Sequence, residues 1–211
     1  MNFLYSRSEP LPLPLPLPAA NAGSRKHAIA GLKLADAALL AFNYQLHAVR
    51  ATAPSVDADQ FADLATWLRA LPPETAEATI NLRLARAESL RRMLDDPDWS
   101  LPAATRGRGR TLLAYLRVLD DLIPDDLPLI GHLDDALLIE LSWSEFAGEV
   151  QDYLDYCRFC SEVRVRGTAD ERRSEWEREC LAQASAMLHR QTMRERGYSR
   201  PLPYSRPFRV C

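Results

Sequence analysis

The stretch Tyr115–Asp135, YLRVLDDLIPDDLPLIGHLDD, decides how this chain folds. It sets six aspartates, two prolines and one glycine between two apolar patterns of helical period. Each proline fixes φ and removes a backbone donor, and glycine frees the backbone, so no helix runs through. The stretch predicts a sharp elbow, built around Pro124, Pro128 and Gly131, between two helices.

Upstream of the elbow the apolar spacing is helical throughout. Ile29, Leu32, Leu39, Phe42, Leu46 and Val49 recur at that spacing behind Ser24, a suitable N-cap, and Pro54 closes the segment. Asp57 with Gln60 forms a capping-box pattern ahead of Phe61, Leu64, Leu68 and Leu71. Pro73 suits the first turn of a third helix, whose apolar side carries Ile80, Leu84, Ala87 and Leu94 before Asp95-Asp96-Pro97 stops it. A fourth is predicted over Thr105–Leu119, with Leu112, Tyr115, Leu116 and Leu119 inward. Downstream, one long helix is predicted from Leu133 to Arg164, marked by Leu133, Leu137, Leu141, Val150 and Leu154. After Gly167, Thr168 with Glu171 is a second capping box, opening a helix to Arg196 with Trp176, Cys180 and Met187 on one face. No window alternates as a strand does. The fold class predicted is all-α, a bundle of five to six helices with the Asp/Pro-rich elbow between helices 4 and 5 and extended termini.

Three regions follow: a Pro-rich tail over 1–23, a helical domain over 24–196, and an Arg/Tyr/Pro tail over 197–211. Leu-Pro alternation from Pro10 to Pro18 favours polyproline II, a stiff spacer. In the second tail Tyr198-Ser199-Arg200-Pro201 repeats as Tyr204-Ser205-Arg206-Pro207.

The 211 residues suffice for one sizeable core, and 47% hydrophobic with 26% charged residues is ordinary for a globular chain. Only Lys26 and Lys33 are lysines, which with abundant Ala and Leu suggests a GC-rich bacterial coding sequence. Net charge is −3, which argues against a polyanion binder, and no basic nucleic-acid motif is present. Charge is uneven, however. Asp120–Asp155 holds eleven acids and no Lys or Arg, whereas Arg190–Cys211 holds six arginines and one acid. Attraction between these regions, within or between chains, is the self-association reading. No uncharged apolar run reaches the ~18 residues of a membrane span. The opening MNFLYSRSEPLPLPLPLP lacks the apolar core of a secretory signal. Four cysteines do not make a disulfide scaffold, so the expected compartment is cytoplasmic, with peripheral membrane contact as an option.

Two kinds of chemistry compete at the elbow. Asp121 and Asp125 flank Leu-Ile-Pro, where carboxylates accept backbone N–H groups, and Asp134 and Asp135 fall in the first turn of the next helix, where negative charge suits the dipole. On that reading all four are caps and no cofactor is needed. Alternatively Asp121, Asp125, Asp134 and Asp135 converge as oxygen ligands for a divalent cation, with hydrolytic chemistry in reach. His132 beside Gly131 could cap, titrate or bind metal; an ordinary turn residue is the plainer account. Cys157 and Cys160, spaced C-x-x-C, could join Cys180 and His189 as a zinc quartet; buried helical thiols are the plainer account. There is no H-E-x-x-H, G-x-S-x-G or P-loop.

The elbow also resembles the YkvA family, a bacterial domain whose biochemical activity is not established. Asp121-Leu122-Ile123-Pro124-Asp125, then Pro128-Leu129-Ile130-Gly131 and Leu133-Asp134-Asp135, are similar to its central pattern, within a span of about 90–145. Val118-Leu119 stands where the family has Ser-Pro, and Asp120 and Asp126 stand where it has apolar residues. The resemblance implies a helical domain, membrane-associated in some members, and supplies no catalytic residue. The chain therefore reads as a non-catalytic interaction or membrane-peripheral module, with a protein partner or a second copy as its target. A cation-binding protein and a zinc-stabilised adaptor are the alternatives.

Overall fold

The computed structural model describes residues 28–29, 32–118, 122–163 and 166–196. The two tails, the Ser24 cap, Leu119, Asp120 and Asp121 lie outside the described residues. Among those described, the chain is all-α: α1 (Asp36–Val49), α2 (Ala58–Ala70), α3 (Pro73–Asp95), α4 (Ala103–Tyr115), α5 (Leu133–Ser142), α6 (Ala147–Val163) and α7 (Ala169–Glu195). The one exception is a pair of two-residue strands, β1 (Ala28–Ile29) and β2 (Leu32–Lys33), antiparallel with Ile29 opposite Leu32. The described residues divide into two compact units between Tyr153 and Leu154.

Local signals set most boundaries. Asp57 accepts the Gln60 backbone N–H at 2.8 Å and the Gln60 side chain accepts the Asp57 N–H at 2.9 Å, the full capping box. Thr168 and Glu171 repeat the arrangement ahead of α7. Pro73 opens α3, and the helix stops at Asp95 ahead of Pro97.

Three helices depart from expectation. The fourth, α4, spans Ala103–Tyr115 with Leu116 as its C-cap, rather than Thr105–Leu119. The first does not start near Ser24: Ile29 and Leu32 are in strands and α1 begins at Asp36. Gly31, a poor helix residue, falls between the strands in sequence, and Asp36 supplies first-turn charge. The long helix from Leu133 is broken by a 3-10 turn over Trp143–Glu145. Ser142 donates its hydroxyl to the Leu138 carbonyl at 2.7 Å, a back-bond that loosens a helix end, and the Phe146 N–H closes onto Trp143 instead of continuing the α pattern.

In the first unit α5 is the central element. All seven residues from Leu133 to Ile139 are buried, although two are aspartates. A helix buried on every side needs neighbours all round; α1, α3 and α4 pack against it. Phe42 meets Phe61 and Tyr115 edge-on, with ring centroids 5.1 and 6.0 Å apart. Asn43 clamps the α1–α2 link, bonding both the carbonyl and the N–H of Val56 at 2.8 Å. Tyr153 stacks edge-on against Trp99 and donates its hydroxyl to Asp96 at 3.1 Å.

One buried polar cluster lies inside this helical packing. Arg83, 2% exposed, sits at the place in the 76–80–83–87–90–94 stripe of α3 where an apolar residue is expected. Its Nε is 3.2 Å from Glu140 of α5, and the same carboxylate oxygen takes Arg86 Nη1 at 2.8 Å. Arg86 also lies 5.5 Å above the Trp143 ring. Burial pulls the Arg83 guanidinium pKa below its ordinary value, against the raising effect of Glu140.

The second unit holds the end of α6 and α7. Gly167, at φ +124°, makes the turn; a Cβ there would meet Glu171 Oε2 at 2.4 Å. Arg172 donates to the Gly167 carbonyl at 2.6 Å, and Tyr156 meets Trp176 edge-on at 6.0 Å. Burial, helped by neighbouring Cys160, pushes the Tyr156 hydroxyl pKa upward against a lowering bond from Arg172. No residue of α7 is buried.

Candidate functional site at the elbow

Leu122, Ile123, Ile130 and Leu133 are buried and pin both arms of the elbow to the core. Between them the Leu127 N–H bonds the Pro124 carbonyl at 3.1 Å, and the Gly131 N–H bonds the Leu127 carbonyl at 2.9 Å. This winding turn requires an unusual backbone at Leu129, whose φ is +68°. A leucine in the left-handed region is strained by roughly 1–2 kcal/mol. Gly131 is needed for a different reason, close approach. A Cβ on it would lie 2.4 Å from the Asp125 carbonyl oxygen and 2.7 Å from its carbon. Backbone cannot yield there as a flexible side chain would.

The two positions therefore carry opposite expectations. Leu129→Gly should stay within about 1 kcal/mol of the parent, because relief of strain offsets the lost burial of a half-buried side chain. Gly131→Ala should cost about 1–3 kcal/mol, an overpacking penalty. Urea midpoints of the two variants check this, and equal losses would contradict the geometry.

Of the elbow aspartates described, Asp125 and Asp135 come together and Asp134 turns elsewhere. Asp134 is fully buried and turns into the core, where its Oδ2 accepts the Tyr115 hydroxyl and the Ile123 N–H, both at 3.2 Å. It ties α4, the elbow and α5 and takes no part in a common site. It is also not a cap: His132 holds the N-cap position of α5, with no side-chain capping bond. Asp135, 6% exposed, shares the first turn. Asp121 lies outside the described residues, and Asp126 is exposed.

What comes together is Asp125, His132 and Asp135. His132 Nδ1 is 3.0 Å from Asp125 Oδ1 and 3.4 Å from Asp135 Oδ2. One donor atom from each of the three falls within 4.8 Å of the others. Their side chains are 24%, 46% and 9% exposed in the order Asp125, His132, Asp135, so the trio runs from surface to core. Beside it lies an open cavity of about 360 Å³, lined by Glu77, Ile80 and Asn81 of α3 and by elbow residues including Asp125, Asp126, Leu129 and His132. Glu77, Asn81, Asp125, Asp126 and His132 supply the polar groups of its wall.

Two carboxylates and an imidazole suit a divalent ion of borderline hardness, with remaining coordination positions open toward the cavity. A proton on Nδ1 and a cation would occupy the same place between the carboxylates.

The proposed zinc quartet is not assembled. Cys157 and Cys160 are half-buried in α6, while Cys180 and His189 are exposed in α7. Nine residues separate Cys180 from His189 on one helix, which sets them on opposite faces and roughly 13 Å apart along the axis. The sequence offered metal binding as one option for His132 but did not join it to Asp125 and Asp135, and it did not single out Glu77 or Asn81. His132 and Asp135, three apart at a helix start, are a legible pair; Glu77 and Asn81 reach the elbow only through tertiary packing.

No described helix is long and apolar enough to cross a membrane. No protein family, curated protein or solved structure matches the chain.

Proposed function

We propose that the chain is a non-catalytic helical module whose elbow binds a divalent cation through Asp125, His132 and Asp135. The observation that carries this is the approach of three donor atoms, one from each residue, to within 4.8 Å beside an open cavity. A bound ion would join the turn after Pro124 to the first turn of α5, and so hold the buried start of that helix against the strained loop that precedes it. On this reading the role of the ion is structural. The likeness to the YkvA pattern suits the same reading, because Asp125, Gly131 and Asp135 belong both to that pattern and to the site.

Thermal unfolding with increasing Mn²⁺, Zn²⁺, Mg²⁺ or Ca²⁺ tests it. A cation that binds only the native state stabilises by about 2.7 kcal/mol at one hundred times its Kd, a rise on the order of 5–10 °C for a chain of this size. Asp125→Asn and His132→Gln should abolish the rise, and Asp126→Asn should keep it. A flat response to all four ions, or the same rise in every variant, rules the site out.

A further inference from the structure

We propose that α7 pairs antiparallel with the α7 of a second copy of this chain. The helix runs 27 residues, and none of them is buried. Helices of globular proteins take most of their stability from packing an apolar face. Here Leu181, Met187 and Leu188 are 68%, 66% and 65% exposed.

The arrangement of residues on α7 selects the occupant. At 100° per residue, Arg173, Glu177, Cys180, Leu181, Ala184, Met187, Leu188, Gln191 and Glu195 fall within about 60° of a line through Ala184. That stripe is self-complementary about Ala184. A two-fold axis there sets Leu181 against Met187, Cys180 against Leu188 and Arg173 against Glu195 of the other copy. Apolar residues meet at the centre, and opposite charges meet at both ends. The halves agree with this: Asp170–Glu179 holds five acids and three arginines, whereas His189–Arg196 holds three arginines and one glutamate. A parallel pair would set like charge against like. Intrahelical contacts already hold the end charges on the stripe, Arg173 with Glu177 at 3.3 Å and Gln191 with Glu195 at 2.9 Å. The small side chain at Ala184 lets two helices approach where the axis passes. Such a contact is isologous and closes at two copies.

Sedimentation equilibrium of the full chain, from low to high micromolar concentration, tests the proposal. The expected result is a reversible monomer–dimer equilibrium. Leu188→Glu should raise its Kd at least tenfold while the circular dichroism stays unchanged. Arg173→Glu should weaken the dimer, and adding Glu195→Arg to it should restore the affinity, since the pair is exchanged across the axis. A monomer at all concentrations, a dimer indifferent to Leu188→Glu, or a charge exchange that fails to restore affinity overturns the proposal. So does a Leu188→Glu chain that loses its helical structure, which would show that the chain itself covers this face.

Discussion

Glu140→Ala is expected to cost about 3–5 kcal/mol, the usual loss when one partner of a buried ion pair is removed. The carboxylate is 3.2 Å from Arg83 Nε and 2.8 Å from Arg86 Nη1, and Arg83 is almost wholly buried between α3 and α5. Without Glu140 the Arg83 charge stays in the interior with its neutralising partner gone. Burial already pulls that guanidinium pKa down, so the folded state carries a desolvation cost that Glu140 offsets. The double variant Arg83→Leu with Glu140→Leu should cost less than Glu140→Ala, because two apolar side chains suit this part of the core better than one unbalanced charge. Equilibrium unfolding in urea measures both. A loss under 1 kcal/mol for Glu140→Ala would show that the pair carries no weight.

Asp134→Ala is the second large effect, at roughly 2–5 kcal/mol. One oxygen of Asp134 accepts from both Tyr115 and Ile123, joining α4, the elbow and α5 inside the core. Alanine removes that shared acceptor and leaves a void where a carboxyl was. Asp134→Asn keeps the shape and one acceptor oxygen, so it should fall between the parent and alanine. A simple cap or dipole role would give Asp134→Ala only about 1 kcal/mol. The size of the loss therefore separates a tie across the elbow from a helix-end charge.

Sequence and structure agree where the signal is local. The capping boxes at Asp57 and Thr168, the proline at 73 and the Asp-Asp-Pro stop at 95–97 each act within four residues, and each boundary is found where they place it. The elbow was legible for the same reason, since Pro124, Pro128 and Gly131 forbid a continuous helix. Its interior was not. Gly131 looks like the residue for a left-handed turn, yet the positive φ falls on Leu129 and the glycine instead admits the Asp125 backbone. Asp134 and Asp135 looked alike in sequence, but Asp134 turns to Tyr115 on another helix while Asp135 meets His132 within its own helical turn. Arg83 occupies an apolar position of its helix, and its partner Glu140 lies far along the chain in a different helix. Nothing nearby in sequence announces that pairing.

The elbow as a cation site is the central claim, and the amount of bound metal tests it most directly. Equilibrium dialysis of the purified chain against Mn²⁺ or Zn²⁺, followed by elemental analysis, should give one ion per chain. The double variant Asp125→Asn with Asp135→Asn should give none while keeping the parent's circular dichroism. A parent that retains no ion, or a double variant that retains as much as the parent, would contradict the account.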